Sequence, residues 1–330
     1  MNILIAGGAG FIGSHFVRML CSGKFFSTEN QFKLFIIDSL GYAGRYENIE
    51  EFIDNKRVIF IKEDINNIST SLEIPKNLDV VFNFAAQTHV DNSITSPGEF
   101  IRSNVSGMHS LLYFAFINFT KTFIQVSTDE VYGSISEGSA TEKSSLNPSS
   151  PYSASKAAAD LIALSYFKTF KFDTRITRCS NNYGARQYPE KLIPFFVKCI
   201  IENKNLPIYG SGLQVRDWIH VEDHCRAIWL TFLKGSPGNI YNFGGNREIR
   251  NIDLAQKIIN LAGSKVEIEY VEDRKGHDFR YSVNDQKARN ELNFATEIDF
   301  EVGLLDTISW YLSNKSWIET TNKYKAENRS

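Results

Sequence analysis

The stretch that determines the fold is Asn2-Ile3-Leu4-Ile5-Ala6-Gly7-Gly8-Ala9-Gly10-Phe11-Ile12-Gly13. Its first residues form a short apolar run typical of a buried strand, and a helical pattern continues through Phe16, Val17 and Leu20. Glycines between a strand and a helix allow a tight turn, and they let a pyrophosphate approach the free N–H groups of the helix N-terminus. The spacing is Gly-x-x-Gly-x-x-Gly. Taken alone, it predicts either a dinucleotide site or only a tight connection.

Three further apolar runs favour the dinucleotide interpretation. Strands are predicted at residues 33–38, 58–61 and 79–84, with helical stretches between them. This alternation indicates a parallel sheet wound on both faces, in which ligands bind at the carboxyl ends of the strands. Asp38 ends the second strand, where an acid is expected to bind the ribose diol of NAD. The alternative is that Asp38 only caps the following turn.

A polar stretch, Ser127–Gly133, directly follows another buried strand, and Pro151–Lys156 then opens a helical pattern. Tyr152 and Lys156 are four residues apart, so a helix places them on one face. A Lys ammonium beside a phenol favours the phenolate and should lower the pKa of the Tyr. The pair therefore predicts a base for a sugar or alcohol hydroxyl. Because Tyr-x-x-x-Lys also occurs by chance, its weight depends on the polar stretch before it.

The composition excludes several classes of protein. The 330 residues carry 36 Lys and Arg against 38 Asp and Glu, a net charge of −2, so no basic field favours nucleic acid. No apolar run approaches the roughly 20 residues that span a membrane, and the first residues do not resemble a signal peptide. The four cysteines are scattered, and no His stands at ligand spacing. We therefore expect reduced thiols, no metal site and a cytoplasmic protein.

Two coupled parts are expected within an α/β fold. They are a Rossmann-type doubly wound parallel sheet and a smaller mixed α/β C-terminal substrate domain. The predicted bounds are residues 1–180 with about 218–246 for the first, 181–217 with 247–318 for the second, and 319–330 for a loose polar tail. Lys191 and Arg216 lie in loop-rich stretches and are candidates to bind a diphosphate. The alternative is that both are solvated surface charges.

A predicted helix from about Gly107 to Phe119 is apolar on more than one face. Such a helix is usually buried all round, so a place in the core is the first interpretation. The helix that begins near Tyr152 also carries an apolar side, with Leu161 and Phe167 among its members. A homodimer built from these two helices is the second interpretation.

With these motifs assembled, the chain resembles the extended short-chain dehydrogenase/reductase family, and within it the nucleotide-sugar 4,6-dehydratases. The resemblance covers nearly the whole chain. Its most specific pieces are Ser127–Gly133, Arg178–Gly184, Pro189–Pro194 and Gln214–Trp218. It implies an NAD+-dependent hydro-lyase that acts on a nucleoside-diphosphate hexose, with dTDP-glucose as the first substrate and dTDP-4-keto-6-deoxy-glucose as the product. UDP-glucose or another nucleoside-diphosphate hexose is the alternative substrate.

The chemistry that the resemblance implies fits these residues. Tyr152, assisted by Lys156, would remove the C4 hydroxyl proton while hydride passes to NAD+, and Thr128 would hydrogen-bond to that hydroxyl. Glu130 would then take the C5 proton, and Asp129 would protonate the C6 hydroxyl as it leaves. Hydride returns to C6, so tightly bound NAD+ is regenerated in each turnover. The two carboxyls need different pKa values, with Asp129 protonated and Glu130 ionised.

The resemblance also implies binding residues, position by position. Those for the cofactor are Gly7, Gly10, Phe11, Ile12, Gly13, Asp38, Ser39, Asp64, Ile65, Phe84, Ala85, Ala86, Thr88, Ser103, Tyr152, Lys156 and Asn182. Those for the sugar nucleotide are Thr88, Thr128, Asn181, Lys191, Leu192, Pro207, Tyr209, Arg216, Asn251, His277 and Tyr281. No residue is expected to bind a metal.

Neighbouring branches of the family differ at the acid pair. Sugar 4-epimerases resemble this chain in the Tyr and Lys but typically lack both acids, and decarboxylases usually carry Ser where Asp129 stands. The intact pair therefore favours water elimination, with epimerisation or decarboxylation as the remaining alternatives. The chain departs from the bacterial dTDP-glucose pattern at Gln87-Thr88, at Ala185-Arg186 and at Phe279. We expect these changes to bear on the nucleotide base rather than on proton transfer.

Overall fold

Strands and helices alternate along the computed structural model, which describes residues 1–25, 32–71, 73–273 and 276–320. The strands are β1 Asn2–Ala6, β2 Lys33–Asp38, β3 Val58–Lys62, β4 Val80–Asn83, β5 Thr122–Thr128, β6 Thr174–Cys179, β7 Asn181–Tyr183, β8 Leu206–Tyr209, β9 Val215–His220, β10 Ile240–Phe243, β11 Glu248–Arg250 and β12 Ile268–Val271. The helices are α1 Phe11–Cys21, α2 Glu50–Ile53, α3 Val90–Thr95, α4 Pro97–Phe100, α5 Met108–Ile117, α6 Pro151–Phe170, α7 Leu192–Ile201, α8 Val221–Lys234, α9 Asn251–Leu261, α10 Gln286–Leu292 and α11 Phe300–Ser313. Short 3₁₀ turns cover Tyr46–Asn48, Ile65–Thr70 and Asp129–Tyr132, and a π-helical segment covers Ile101–Gly107.

Seven strands form one parallel sheet in the order β10-β6-β5-β4-β1-β2-β3. From β1, the sheet continues on one side through β2 and β3, and on the other side through β4, β5, β6 and β10. A ligand crevice is expected between β1 and β4, where the strand order changes side. A three-stranded sheet, β11-β9-β7, and a two-stranded sheet, β12-β8, belong to the other part of the molecule. The predicted doubly wound fold is confirmed.

Each face of the large sheet has its own hydrophobic core, as the alternation of side chains along a strand requires. Leu4 of β1 packs into a core with α5 and α6, whereas Ile3 and Ile5 pack into a core with α1 and α8. A third core joins α7, α9 and α11 and includes Tyr183 and Trp218. The two smaller sheets lie next to this third core, so the second part of the chain has an apolar centre of its own.

Helix α6 begins at a sharply defined residue. The Ser150 side chain accepts a hydrogen bond from the Ser153 backbone N–H, and the Ser153 hydroxyl reaches back to the Ser150 backbone N–H. Pro151 occupies the first turn, where a missing N–H leaves no helical bond unmade. This capping box fixes where the first turn lies, and Tyr152 stands in that turn.

Helix α5 differs from its first interpretation. Leu111 and Leu112 are fully buried, as expected for a core helix, but Tyr113 is 50% exposed and Ile117 46%. The helix is thus buried on one side only. Of the predicted tail, residues 319 and 320 are helical, and residues 321–330 lie outside the described part of the chain. In the described part, no helix combines the length and the apolarity that crossing a membrane would require.

Candidate active site

A cavity of about 580 Å³ opens at the carboxyl ends of the large sheet. Its lining includes every residue that the sequence predicted to contact a cofactor, together with Thr128, Asp129, Glu130, Tyr152 and Lys156. Strand β1 brings the glycine turn, β4 the Phe84–Ala86 segment, and β5 the acid pair. Parallel strands deliver all these residues to one edge of the sheet, because their carboxyl ends meet there.

The glycine turn forms the floor of this cavity. Gly7 has φ 76°, and a Cβ at this position would stand 2.5 Å from the backbone nitrogen of Ala85. A Cβ at Gly13 would clash with the Gly7 carbonyl oxygen. Without side chains here, the N-terminus of α1 stays open to the cavity. The floor therefore fits a pyrophosphate, which the N–H groups of a helix N-terminus attract.

Asp38 lies in the wall of the cavity at the end of β2. One of its carboxyl oxygens accepts a hydrogen bond from the Ala9 backbone N–H (2.9 Å) and the other from that of Leu40 (2.8 Å). Burial raises the pKa of Asp38, and the two hydrogen bonds oppose the rise. Asp38 thus caps the turn and also lines the cavity, while its binding to a ribose stays a prediction. Its remaining lone pairs can accept from a ribose diol.

Lys156 and Tyr152 share one face of α6, but the pKa of Tyr152 is raised and not lowered as the sequence predicted. The Lys156 ammonium donates to the Val126 carbonyl (2.7 Å). Burial raises the pKa of Tyr152 well above its usual value, and the Glu130 charge adds to the rise. Burial also lowers the pKa of Lys156 to about 8. The expected lowering of the Tyr152 pKa is therefore wrong for the protein alone, because burial and the neighbouring Glu130 charge both raise it.

A buried ion pair lies behind Lys156. Asp160, one turn further along α6, accepts from the Arg178 guanidinium at 2.8 Å, and both side chains are almost completely buried. Arg178 also donates to the Tyr132 hydroxyl at 2.9 Å, and that hydroxyl donates to Asn242 at 2.8 Å. The Asp160 charge opposes the fall in the Lys156 pKa. The network joins α6 to β6 and β10 beneath the cavity.

Asp129 and Glu130 have different surroundings although they are adjacent. Burial, followed by the Glu130 charge, raises the pKa of Asp129 well above its usual range. Thr128 donates to one oxygen of Asp129 at 3.3 Å. In the described part of the chain, the other oxygen, Oδ2, is buried without a hydrogen-bond partner. Asp129 is thus set up to be a neutral acid with a free polar atom, as a proton donor requires.

The predicted substrate residues fall into two groups. Thr88, Thr128, Asn181, Lys191 and Leu192 line the cavity. The other six lie outside this lining: Pro207, Tyr209, Arg216, Asn251, His277 and Tyr281. They stand on β8, on β9, at the start of α9 and in the segment between β12 and α10. The lining of this cavity therefore includes five of the eleven predicted substrate residues.

Two residues of the second group, Arg216 and Tyr281, nevertheless lie close enough to the acid pair to interact with its charges. Arg216 is buried, donates to the Asp278 carbonyl at 2.9 Å and lies 4.4 Å from the centre of the Tyr281 ring. Its charge lowers the pKa of Asp129, and the Glu130 charge raises that of Tyr281. Lys191 donates to the Thr88 carbonyl at 2.7 Å. The alternative of a solvated surface charge is therefore wrong for Arg216, which is buried, whereas Lys191 is half-buried and its role stays a prediction.

Several cavity residues were not predicted from the sequence. Tyr42, in the loop after β2, lines the cavity and meets Tyr188 edge to face, with ring centres 5.5 Å apart. Glu190 and His224 also line the cavity, and His224 is 2.8 Å from the Asn182 side chain. Loops carry no periodic pattern, so no pattern could predict that Tyr42 lies in the cavity wall. The only hint was its place between two glycines, directly after the acid-ended strand.

The departures from the family pattern lie in different surroundings. The Ala185 carbonyl is 2.8 Å from the His15 ring nitrogen, and the Arg186 guanidinium lies 5.1 Å from the centre of the Trp310 ring. Neither residue lines the cavity. Phe279 is 57% exposed, next to the segment that carries Tyr281. Of the three changes, only Gln87-Thr88 touches the cavity. The described residues contain no cluster of acids, His and Cys that could hold a metal ion.

A parallel sheet with a glycine turn after its first strand, and a Tyr-x-x-x-Lys helix over the same cavity, defines the short-chain dehydrogenase/reductase class. Within that class, the chain belongs to the family described as GDP-mannose 4,6 dehydratase, whose model matches residues 4–307.

Named relatives cover almost all of the chain. It is 44% identical to the dTDP-glucose 4,6-dehydratase of Actinoplanes sp., over 96% of this chain and 99% of that one. A similar solved structure is that of DesIV, a dTDP-glucose 4,6-dehydratase from Streptomyces venezuelae with NAD and TYD bound. It superposes with a TM-score of 0.93 at 42% identity, over 97% of this chain and 100% of that one. The UDP-glucose 4-epimerase of Thermotoga maritima is more distant, at 28% identity and a TM-score of 0.86, over 96% and 100% of the two chains.

Proposed function

We propose that the protein is an NAD+-dependent hydro-lyase that converts dTDP-glucose to dTDP-4-keto-6-deoxy-glucose. The observation that carries this proposal is the state of Asp129, whose pKa is raised by burial and by the adjacent Glu130 and whose Oδ2 is buried without a partner in the described structure. Water elimination needs a neutral acid and an ionised base on the same sugar. The relatives named dTDP-glucose 4,6-dehydratase support the same reaction and the same nucleotide.

The residues of the cavity fit NAD+. The open N-terminus of α1 above the glycine turn would hold the pyrophosphate, and Asp38 would accept from the adenosine ribose. Ser103 and Lys156 also line the cavity, and Lys156 would lie at the nicotinamide ribose. When bound, NAD+ supplies the hydride acceptor for C4 of the hexose and later the hydride donor for C6.

The first proton transfer falls to Tyr152. Its hydroxyl is buried next to Thr128, whose hydrogen bond lowers the Tyr152 pKa and so opposes the effect of burial. A Thr hydroxyl in this position can also accept from the C4 hydroxyl and orient it toward the phenol oxygen. Lys156 contributes a positive charge on the same helix face. These three side chains would hold the C4 oxygen while its proton leaves.

The elimination falls to the acid pair. Oxidation at C4 acidifies the neighbouring C5 hydrogen, and Glu130 would remove it. Asp129, kept neutral by its surroundings, would donate its proton to the C6 oxygen, which then leaves as water. When hydride returns to C6, C5 regains a proton, which Glu130 can supply as it returns to the carboxylate. Asp129 is then ionised and Tyr152 still holds the proton of the C4 hydroxyl, so transfer of one proton from Tyr152 to Asp129, directly or through solvent, restores the starting state. Arg216 lies close enough to lower the pKa of Asp129, and its charge would stabilise the transient carboxylate.

The reaction and the nucleotide are tested together. The purified protein is incubated separately with dTDP-, UDP-, CDP- and GDP-hexoses, and the products are identified by mass spectrometry and NMR. We expect loss of one water and a C4 ketone with dTDP-glucose. The same product mainly from UDP-glucose would keep the mechanism and change the nucleotide. An epimer at C4 with unchanged mass, or released carbon dioxide, would overturn the proposal.

We also propose a cytoplasmic homodimer that is built through α5 and α6. Both helices leave large apolar side chains half exposed on the side away from the sheet: Tyr113, Ile117, Leu161 and Phe170. Phe119, just after α5, is 74% exposed. A contiguous apolar surface of this kind is characteristic of an interface between subunits. It lies on the outer side of the helix that carries Tyr152 and Lys156.

A further inference from the structure

The loop after β2, residues 39–45, is attached to the last described residues of the chain. We call it the β2 loop, and we call residues 314–320 the C-terminal segment. Arg45 is buried, and its guanidinium donates to the Trp317 carbonyl at 2.8 Å and to the Thr320 hydroxyl. The same guanidinium lies 4.3 Å from the centre of the Trp317 ring. One side chain thus joins two stretches that are far apart in sequence.

The β2 loop forms a wall of the cavity. Residues 39–44 all line it, and Arg45 lies directly behind them. The loop is fixed to the glycine turn as well, because the Arg45 backbone N–H donates to the Ala9 carbonyl at 3.0 Å. The Ala9 backbone N–H in turn donates to Asp38. Any movement of the β2 loop would therefore disturb the groups proposed to bind the adenosine ribose and the pyrophosphate.

The other end of this attachment packs against α11. Trp317 packs against Trp310 and Tyr311 of α11, with ring centres 5.4 Å and 6.0 Å away. The Tyr311 hydroxyl donates to the Gln187 carbonyl at 2.7 Å, and Gln187 lines the cavity. Helix α11 belongs to the third core, in the second part of the molecule. The β2 loop is therefore anchored to the part of the chain that is proposed to bind the substrate.

We infer that Arg45 is a positioning residue that holds the β2 loop over the adenosine half of NAD, with the C-terminal segment as its anchor. The inference rests on the proposed binding of NAD. A bound dinucleotide could leave past this wall only if the loop moved, and movement would break two hydrogen bonds and a cation–π contact. Loss of these contacts should shorten the residence time of the cofactor without touching the reacting atoms.

The test measures cofactor exchange rather than turnover. The protein is loaded with NAD+, mixed with an excess of isotopically labelled NAD+, and sampled over time by mass spectrometry. We expect Arg45→Met and Trp317→Leu to exchange NAD+ about tenfold faster than the wild-type protein, since each loses part of the Arg45 contacts. Arg186→Met is the matched control, because Arg186 packs on Trp310 in the same aromatic group and should leave exchange unchanged.

The outcomes separate the two proposals. Wild-type protein that retains no NAD+ would contradict the proposed function and this inference with it. Wild-type protein that retains NAD+, with both variants exchanging at the wild-type rate, would overturn the role of Arg45 alone. If Arg45→Met fails to fold, amide hydrogen exchange of the wild-type protein tests the role of Arg45 instead. Removal of NAD+ must then lower amide protection in the β2 loop and in the C-terminal segment together, and a loss confined to the loop would overturn the inference.

Discussion

Asp129 and Glu130 are neighbours in the sequence, and the fold gives them different chemical states. Burial, followed by the Glu130 charge, favours the protonated form of Asp129 and raises its pKa well above the usual range of an Asp carboxyl. The sequence contained both acids but not this difference. Burial of Asp129 arises from packing around the end of β5, which no pattern of nearby residues encodes. The residue types were predictable, whereas their protonation states needed the surroundings.

The separate roles of the two acids can be measured with deuterium. In D₂O, Glu130→Gln should lose exchange of the C5 hydrogen with solvent, because no base removes it. Asp129→Asn should keep that exchange and lose the release of water. Turnover should fall by about 10² to 10⁴ in both, the usual contribution of a positioned acid or base. Exposed Glu137→Gln is the control and should behave as wild type. Unchanged C5 exchange in Glu130→Gln would contradict the assignment.

Helices α1 and α8 each contact β7 or the turn after it through a buried histidine. His15 of α1 contacts the Ala185 carbonyl, and His224 of α8 contacts Asn182, both at 2.8 Å. Burial lowers the pKa of His15 to about 4 and that of His224 to about 3. Both side chains are therefore neutral at pH 7 in the folded protein. In the unfolded chain, a histidine takes up a proton below its usual pKa of about 6.5.

This difference makes the fold sensitive to acid. Between pH 6.5 and pH 4, the unfolded chain binds protons that the folded chain excludes, so stability is full above pH 6.5 and falls as the pH drops. From pH 7 to pH 5, we expect each histidine to remove about 2 kcal/mol from the free energy of unfolding. Urea unfolding at pH 7 and at pH 5 measures this loss in the free energy of unfolding. His15→Gln should show a smaller loss than wild type, and an equal loss would show that His15 does not contribute.

Elements with a periodic pattern were predicted closely, and elements without one were not. Strand β2 was expected at residues 33–38 and is found at Lys33–Asp38, because a continuous run of apolar residues indicates a buried strand. The π-helical segment Ile101–Gly107 was not predicted, since an extra residue in a helical turn leaves no period of its own. Arg45 looks like any loop arginine in the sequence, and only tertiary structure shows that it is buried.

At the scale of the whole molecule, the proposed dimer would cover the outer face of α5 and α6. Leu161→Glu places a charge in the middle of this face and should shift the protein toward monomers. Size-exclusion chromatography with light scattering measures the change in mass. Leu233→Glu is the matched control, because Leu233 is exposed to a similar degree, 56% against 57%, on α8. A monomeric wild type, or a dimer in both variants, would contradict the proposed interface.

The path of the chain has a consequence for how such proteins can diversify. The chain leaves the seven-stranded sheet after β6 and returns to it with α8 and β10. It leaves again with β11, and α10 then packs once more against the large sheet before the chain continues into α11. Neither part is therefore a continuous stretch. A recombination event with one crossover could not exchange the part proposed to bind the substrate as an intact module. A change of specificity in this architecture can instead arise from substitutions within its separate segments, on a scaffold inherited whole.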